Sequence, residues 1–133
     1  MRGREARAAL ERAAVRLDRL RLYPRPVRLE GVRIFSVPLF FALPRLRRYD
    51  GYAFRRTIFL RRPPARGASD DLICHELCHI WQQQHHPWRV FWAWLTKPYE
   101  ENPYELEARR AVRATRAEPG PLEPPRASGV RPA

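Results

Sequence analysis

His75, Glu76 and His79 form the pattern His-Glu-x-x-His inside the stretch at residues 70–83. On a helix, side chains four residues apart share a face, so both imidazoles can reach one metal ion. Glu76, beside the first histidine, can hold or deprotonate a water at that ion. By chance alone the same letters would be two ordinary histidines around a solvated glutamate. Here Leu72, Ile80 and Trp81 supply the apolar residues that embed a motif helix. A catalytic zinc takes three protein ligands and keeps a fourth position for water, so the chain must supply a third ligand.

Three residues compete for that role. His85 follows His79 by six positions, the spacing of the longer pattern in which a glycine breaks the helix between the second and third histidines. Gln82 stands where that glycine would be, so the helix continues and carries His85 away. The carboxylate candidates are Glu105 and Glu107, within Asn102-Pro103-Tyr104-Glu105-Leu106-Glu107-Ala108. Asn at N-cap, Pro at N1 and Glu at N3 make a well-formed helix start. Capping would occupy the Glu105 oxygens, yet a first-turn carboxylate can also be aimed at a neighbouring helix. Glu107 lies on a different part of that helix face, which places Glu105 ahead of it.

The two segments together, His75-Glu76-Leu77-x-His79-x-x-Gln82-Gln83 and Asn102-Pro103-Tyr104-Glu105-x-Glu107-Ala108, resemble the small bacterial zincin-like metallopeptidase domains of the gluzincin type. The similarity covers residues 50–112. It implies a minimal α+β fold, in which a small antiparallel sheet packs on the His-Glu-x-x-His helix and a second helix brings a glutamate. It further implies Zn2+ held by His75, His79 and Glu105. Glu76 would be the general base, and a zinc-activated water would hydrolyse peptide bonds. Arg109 departs from the pattern, because related peptidases often have there an aspartate that buttresses a ligand histidine. Asp70, Asp71, Glu101 or a backbone carbonyl would have to do that work. Tyr104 and Tyr99 are the nearest candidates for an oxyanion helper.

The elements that must position these groups follow from pattern. Residues 2–22 read as an amphipathic helix, with Ala6, Leu10, Ala13, Leu17 and Leu20 on one stripe and arginines on much of the rest. Pro24 and Pro26 stop it. Residues 31–37 are a strand ended by Pro38, and 39–46 stay unassigned between prolines. Asp50-Gly51 marks a turn, and residues 52–60 follow as a second strand with Phe54, Ile58 and Leu60 on one face. That strand is the edge on which an extended peptide could add. Arg55, Arg56, Arg61 and Arg62 near it would favour acidic substrates or discourage aggregation. Ser69 or Asp70 caps the motif helix, which runs to about Gln84. Residues 88–96 carry Trp88, Phe91, Trp92 and Trp94; they are expected to pack over the motif helix, the alternative being an exposed patch for a partner or membrane. The Glu105 helix continues to about Ala117. The division is an N-terminal helix at 1–26, a zincin-like domain at 27–117 and a proline-rich disordered tail at 118–133.

The chain has 133 residues and a net charge of +12, with Lys97 its only lysine. So much arginine admits nucleic acid or anionic membrane as partner, though its even spread fits solvated faces better than a binding stripe. Cys74 and Cys78, four apart on one helix, make a poor disulfide, which fits a reducing compartment. No apolar run approaches the roughly 20 residues of a membrane span, and no secretory core is visible, so the expected location is cytoplasmic. Two further readings stand beside the peptidase: a non-catalytic zinc-stabilised module and a DNA-associated basic protein.

Overall fold

A computed structural model describes residues 2–44, 47, 49–65, 67 and 69–116. Its elements are α1 (Arg2–Asp18), β1 (Arg33–Ser36), a 3-10 turn (Pro38–Ala42), β2 (Gly51–Phe54), β3 (Thr57–Leu60), α2 (Asp70–His85), α3 (Pro87–Thr96), a second 3-10 turn (Tyr99–Glu101) and α4 (Pro103–Thr115). The class is α+β, with four helices and a small three-stranded sheet among the described residues. No helix among them is long and apolar enough to cross a membrane. The disorder expected at 118–133 lies outside the described residues.

Helix α2 is the axis of the molecule. Ile73, Cys74, Leu77, Cys78, Ile80 and Trp81 are buried along it and share one apolar core with Leu10, Ala13 and Leu17 of α1, Ile58 and Leu60 of β3, and Ala108 and Val112 of α4. Every turn of α2 therefore has an apolar neighbour, and burial of this kind supplies most of a small domain's stability. Helix α1 ends at Asp18, four residues before the sequence reading ended it, where Arg21 takes a left-handed backbone (φ 50°). Two of its arginines are not solvated. Arg12 reaches Asp70 at 3.0 Å, and Arg16 meets Asp71 at 2.9 Å, Thr115 Oγ1 at 3.2 Å and the Val112 carbonyl at 3.2 Å. Charge on α1 thus holds the start of α2 to the end of α4. Ser69 precedes α2 but does not cap it by its side chain, which instead bonds the Ala65 backbone.

The sheet departs from expectation. Its order is β1-β3-β2, with β1 parallel to β3 and β2 antiparallel to β3, so it is mixed rather than antiparallel. Residues 52–60 are not one strand but a hairpin turning at Arg55-Arg56, with Arg55 left-handed at φ 59°. No glycine announces this turn. Gln83 of α2 stabilises it by accepting the Arg55 N–H at 2.8 Å. Because the turn resets the alternation, Ile58 and Leu60 face the core while Phe54 lies outside, 55 % exposed. The two edges are β1 and β2, with β3 in the middle.

A second correction concerns α3. Only Val90 and Ala93 are buried; Trp88, Phe91, Trp92 and Leu95 stand outward. His86 alone separates α2 from α3, with Pro87 at N1, and across so short a corner α3 covers α2 with Val90, Ala93 and, of its four aromatic residues, the half-buried Trp94. Leu77→Ala, fully buried at the centre of the core, is expected to cost about 2–5 kcal/mol in chemical denaturation. Val15→Ala, on the exposed side of α1, should stay within about 0.5 kcal/mol.

Candidate metal centre

His75 and His79, one turn apart on α2, project toward the first turn of α4, where Glu105 is 1 % exposed. The three groups meet at single atoms. Glu105 Oε1 lies 3.2 Å from His75 Nε2 and 3.0 Å from His79 Nε2, and the two nitrogens are 3.2 Å apart. Tetrahedral ligands bound at about 2.0–2.1 Å are separated by roughly 3.3 Å. The three atoms thus nearly form one face of a coordination tetrahedron, and they make the one such group among the described residues.

The protons around His79 can be assigned. Gln82 Nε2 donates to the Tyr104 carbonyl and to Glu107 Oε1, both at 2.9 Å, and neither acceptor can donate back. The Gln82 carbonyl oxygen therefore faces His79 and accepts Nδ1–H at 2.9 Å. In the neutral ring this leaves the Nε2 lone pair opposed to a carboxylate oxygen, an arrangement that needs a cation between them. Burial disfavours a charged His79, but the Glu105 hydrogen bond, the Glu76 charge and the Gln82 acceptor outweigh it and raise the pKa above 6.5. Without a metal, a proton fills that need; the donor set of two imidazoles and one carboxylate suits a divalent cation equally.

The other Glu105 oxygen is held separately. Tyr99 Oη and Arg109 Nε both donate to Oε2 at 2.9 Å, which leaves Oε1 for the histidines. Burial would raise the Glu105 pKa, but the His75 and His79 hydrogen bonds dominate and drive it far below the usual carboxylate range. Arg109, odd against the resemblance, is thus a clamp on the third candidate ligand. Asn102 alone caps α4, its Oδ1 accepting the Tyr104 N–H at 2.9 Å, so Glu105 has no capping duty.

The remaining candidates sit elsewhere. Glu107 accepts from the Tyr23 hydroxyl and from Gln82, so it buttresses His79 at one remove. His85 stacks on Tyr23 and accepts the Arg25 N–H. Asp70 and Asp71 are taken by arginines of α1 and, for Asp71, by Arg116. Gln82 rather than an aspartate holds His79; the sequence reading quoted Gln82 within the motif and in place of a glycine, but gave it no such role.

Glu76 is 5 % exposed and faces the same space. Burial pushes its carboxyl pKa up, while His79 and His75 pull it down. Strand β2 passes so close that a Cβ on Gly51 would stand 3.1 Å from Glu76 Oε2 and 3.1 Å from Leu72 Cδ1, tight enough that one of those side chains would have to shift. A cavity of about 550 Å3 opens over the four groups. Five consecutive residues, Gly51, Tyr52, Ala53, Phe54 and Arg55, line it on one side, and Trp88, Phe91, Trp94 and Leu95 of α3 also line it. Trp94 stands edge-on to His79 at 5.7 Å. Tyr99 lines the cavity with Tyr49 packed against its ring at 5.2 Å, whereas Tyr104 is not among the lining residues. Tyr49 had no signal in the sequence.

Comparison of the chain with protein-family models, curated proteins and solved structures finds no match.

Gln82→Ala frees His79 to rotate and change tautomer, so it should weaken zinc binding about 10–100-fold in a chelator competition. Protons compete for His79. Because its pKa is raised, zinc affinity should already be falling as the pH is lowered toward 6.5, and should then drop about tenfold per pH unit for each proton displaced. Flat affinity down to pH about 5.5, well below the ordinary histidine range, would show that His79 does not bind the ion.

Proposed function

We propose that the chain is a zinc-dependent metallopeptidase-like protein in which His75, His79 and Glu105 hold the ion and Glu76 is the general base. The observation that carries this reading is the convergence of His75 Nε2, His79 Nε2 and Glu105 Oε1 to within 3.0–3.2 Å beside Glu76, at a cavity large enough for a peptide side chain. A bound zinc would supply Lewis acidity and bring the pKa of a water to roughly 7. Glu76 would hold a water and accept its proton at the carboxylate, and its burial makes the carboxylate a better base. A substrate lies extended along the free edge of β2, paired through backbone groups. The aromatic wall of α3 receives an apolar side chain and keeps water off it. Tyr99 serves by holding Glu105, since its hydroxyl is donated there. Of the arginines once read as a lure for acidic substrates, Arg61 is spent on Asp50 and on loop carbonyls, and Arg55 alone lines the cavity.

A non-catalytic zinc-stabilised module is the second reading, favoured by one fact: the three candidate ligands join α2 to α4 inside the fold. Metal would then serve folding. The Glu76→Gln variant separates the two readings. It should keep its zinc and lose about 10²–10⁴-fold in kcat/KM on a quenched fluorescent peptide library. Glu105→Ala and His75→Ala should lose the zinc. If the zinc-loaded wild type cleaves nothing and Glu76→Gln behaves identically, the module reading stands; if purified protein holds no zinc, both fall. Gly51→Ala, which presses a methyl group on Glu76, should lower kcat about 10–100-fold with zinc content unchanged.

A further inference from the structure

We infer that the rims of the cleft form a docking surface for an anionic lipid bilayer. Helix α3 is amphipathic in the reverse of the usual sense for a small domain: its small residues are buried, and its large ones face out. Trp88 is 80 % exposed, Trp92 64 %, Leu95 62 % and Phe91 51 %. Three of these four, Trp88, Phe91 and Leu95, line the cavity that Tyr52 and Phe54 of β2 also line. From Tyr52 the apolar surface continues ring to ring through Phe40 (6.0 Å), Phe59 (4.8 Å) and Phe35 (6.4 Å), and Leu39 beside Phe40 is 86 % exposed. Chains that stay in water rarely leave so continuous an apolar face uncovered.

Charge selects the occupant. Arg89 and Lys97 flank the outward tryptophans, and Arg33, Arg55 and Arg56 lie along the sheet rim, all exposed; Glu100 and Glu101 are the acids that follow α3. The chain as a whole carries +12. Tryptophan with phenylalanine and leucine, bordered by cations, is the composition that settles at a bilayer interface. Acidic headgroups supply the charge that a +12 surface lacks. No helix among the described residues is long and apolar enough to span the bilayer; the proposed contact is peripheral, with the aromatic rings in the headgroup region and the arginines among the phosphates. The surface shares Trp88, Phe91 and Leu95 with the proposed substrate wall but includes no metal ligand, and Trp92 lies outside the cavity, so the Trp92 variant tests this inference apart from the peptidase reading.

The test is co-flotation of the full chain with large unilamellar vesicles of phosphatidylcholine alone or with one third phosphatidylglycerol, read together with tryptophan emission. Partition should be about tenfold or more stronger on the phosphatidylglycerol vesicles, weaken with salt, and shift the emission to the blue. Trp88→Ser with Trp92→Ser, both at exposed positions, should lower partition about tenfold while circular dichroism is unchanged. Arg89→Glu with Lys97→Glu should abolish the preference for phosphatidylglycerol. Trp92→Ser alone, outside the cavity, should weaken vesicle binding and leave any peptide hydrolysis in solution as it was. Equal partition into both vesicle types, or partition indifferent to the serine pair, overturns the inference. So does a lipid-free dimer that the serine pair dissociates, which would assign this face to a second copy of the chain.

Discussion

A carboxylate with almost no access to water sets the terms for the rest of this molecule. Glu105 is 1 % exposed, and burial on its own pushes its pKa up. Five groups around it answer that cost. His75 and His79 come from α2, Arg109 lies one turn further along α4, Tyr99 comes from the preceding 3-10 turn, and a cation of some kind is required between Oε1 and the imidazoles. The geometry of each supporting element follows. Asn102 and Pro103 start α4 so that its third residue points at α2, and Arg16 and Asp71 hold the far ends of the same two helices together. A domain this small has little apolar core, so a shared charge cluster between two helices is a large part of what fixes their relative placement.

The sheet contributes by proximity rather than by chemistry. Strand β2 runs past Glu76 with a glycine at the point of close approach, so backbone rather than a side chain faces that flank of the carboxylate. Gln83 reaches from α2 to the hairpin turn, and Gln84 pairs with both the N–H and the carbonyl of Arg28. Three successive glutamines thus tie α2 to α4, to the hairpin and to the segment after α1. A polar run at the end of a helix, which in isolation looks like a solvated terminus, is here the set of struts that locks the outer layer to the axis.

What was legible in the sequence was what local rules decide. The i, i+4 spacing of His75 and His79, the Asn102-Pro103 helix start and the apolar stripe of α1 are written within a few residues and survive into the fold. The third carboxylate was legible as a pair of candidates, and a face argument separated them. Interactions that depend on a distant neighbour were not legible. The hairpin at Arg55-Arg56 has no glycine because Gln83 supports it, and the parallel pairing of β1 with β3 depends on the route of an intervening segment without a periodic signal. The aromatic residues of α3 looked like core because small chains usually spend their tryptophans there. Across the one-residue corner at His86, only Trp94 of the four is half-buried. Arg109 looked like a defect for lack of knowledge that Tyr99 and Glu105 would face it.

The amide of Gln82 has a direction, and that direction is fixed by groups on α4: a backbone carbonyl in its first turn and the carboxylate of Glu107. Which nitrogen of His79 is bare is consequently decided by the register of one helix against another. A chain in which α4 had docked a residue out of place would turn the amide, move the ring proton to Nε2 and close the lone pair that a metal needs. The bare nitrogen on which the proposed metal site depends is therefore a property of the seated helix pair, not of α2 alone.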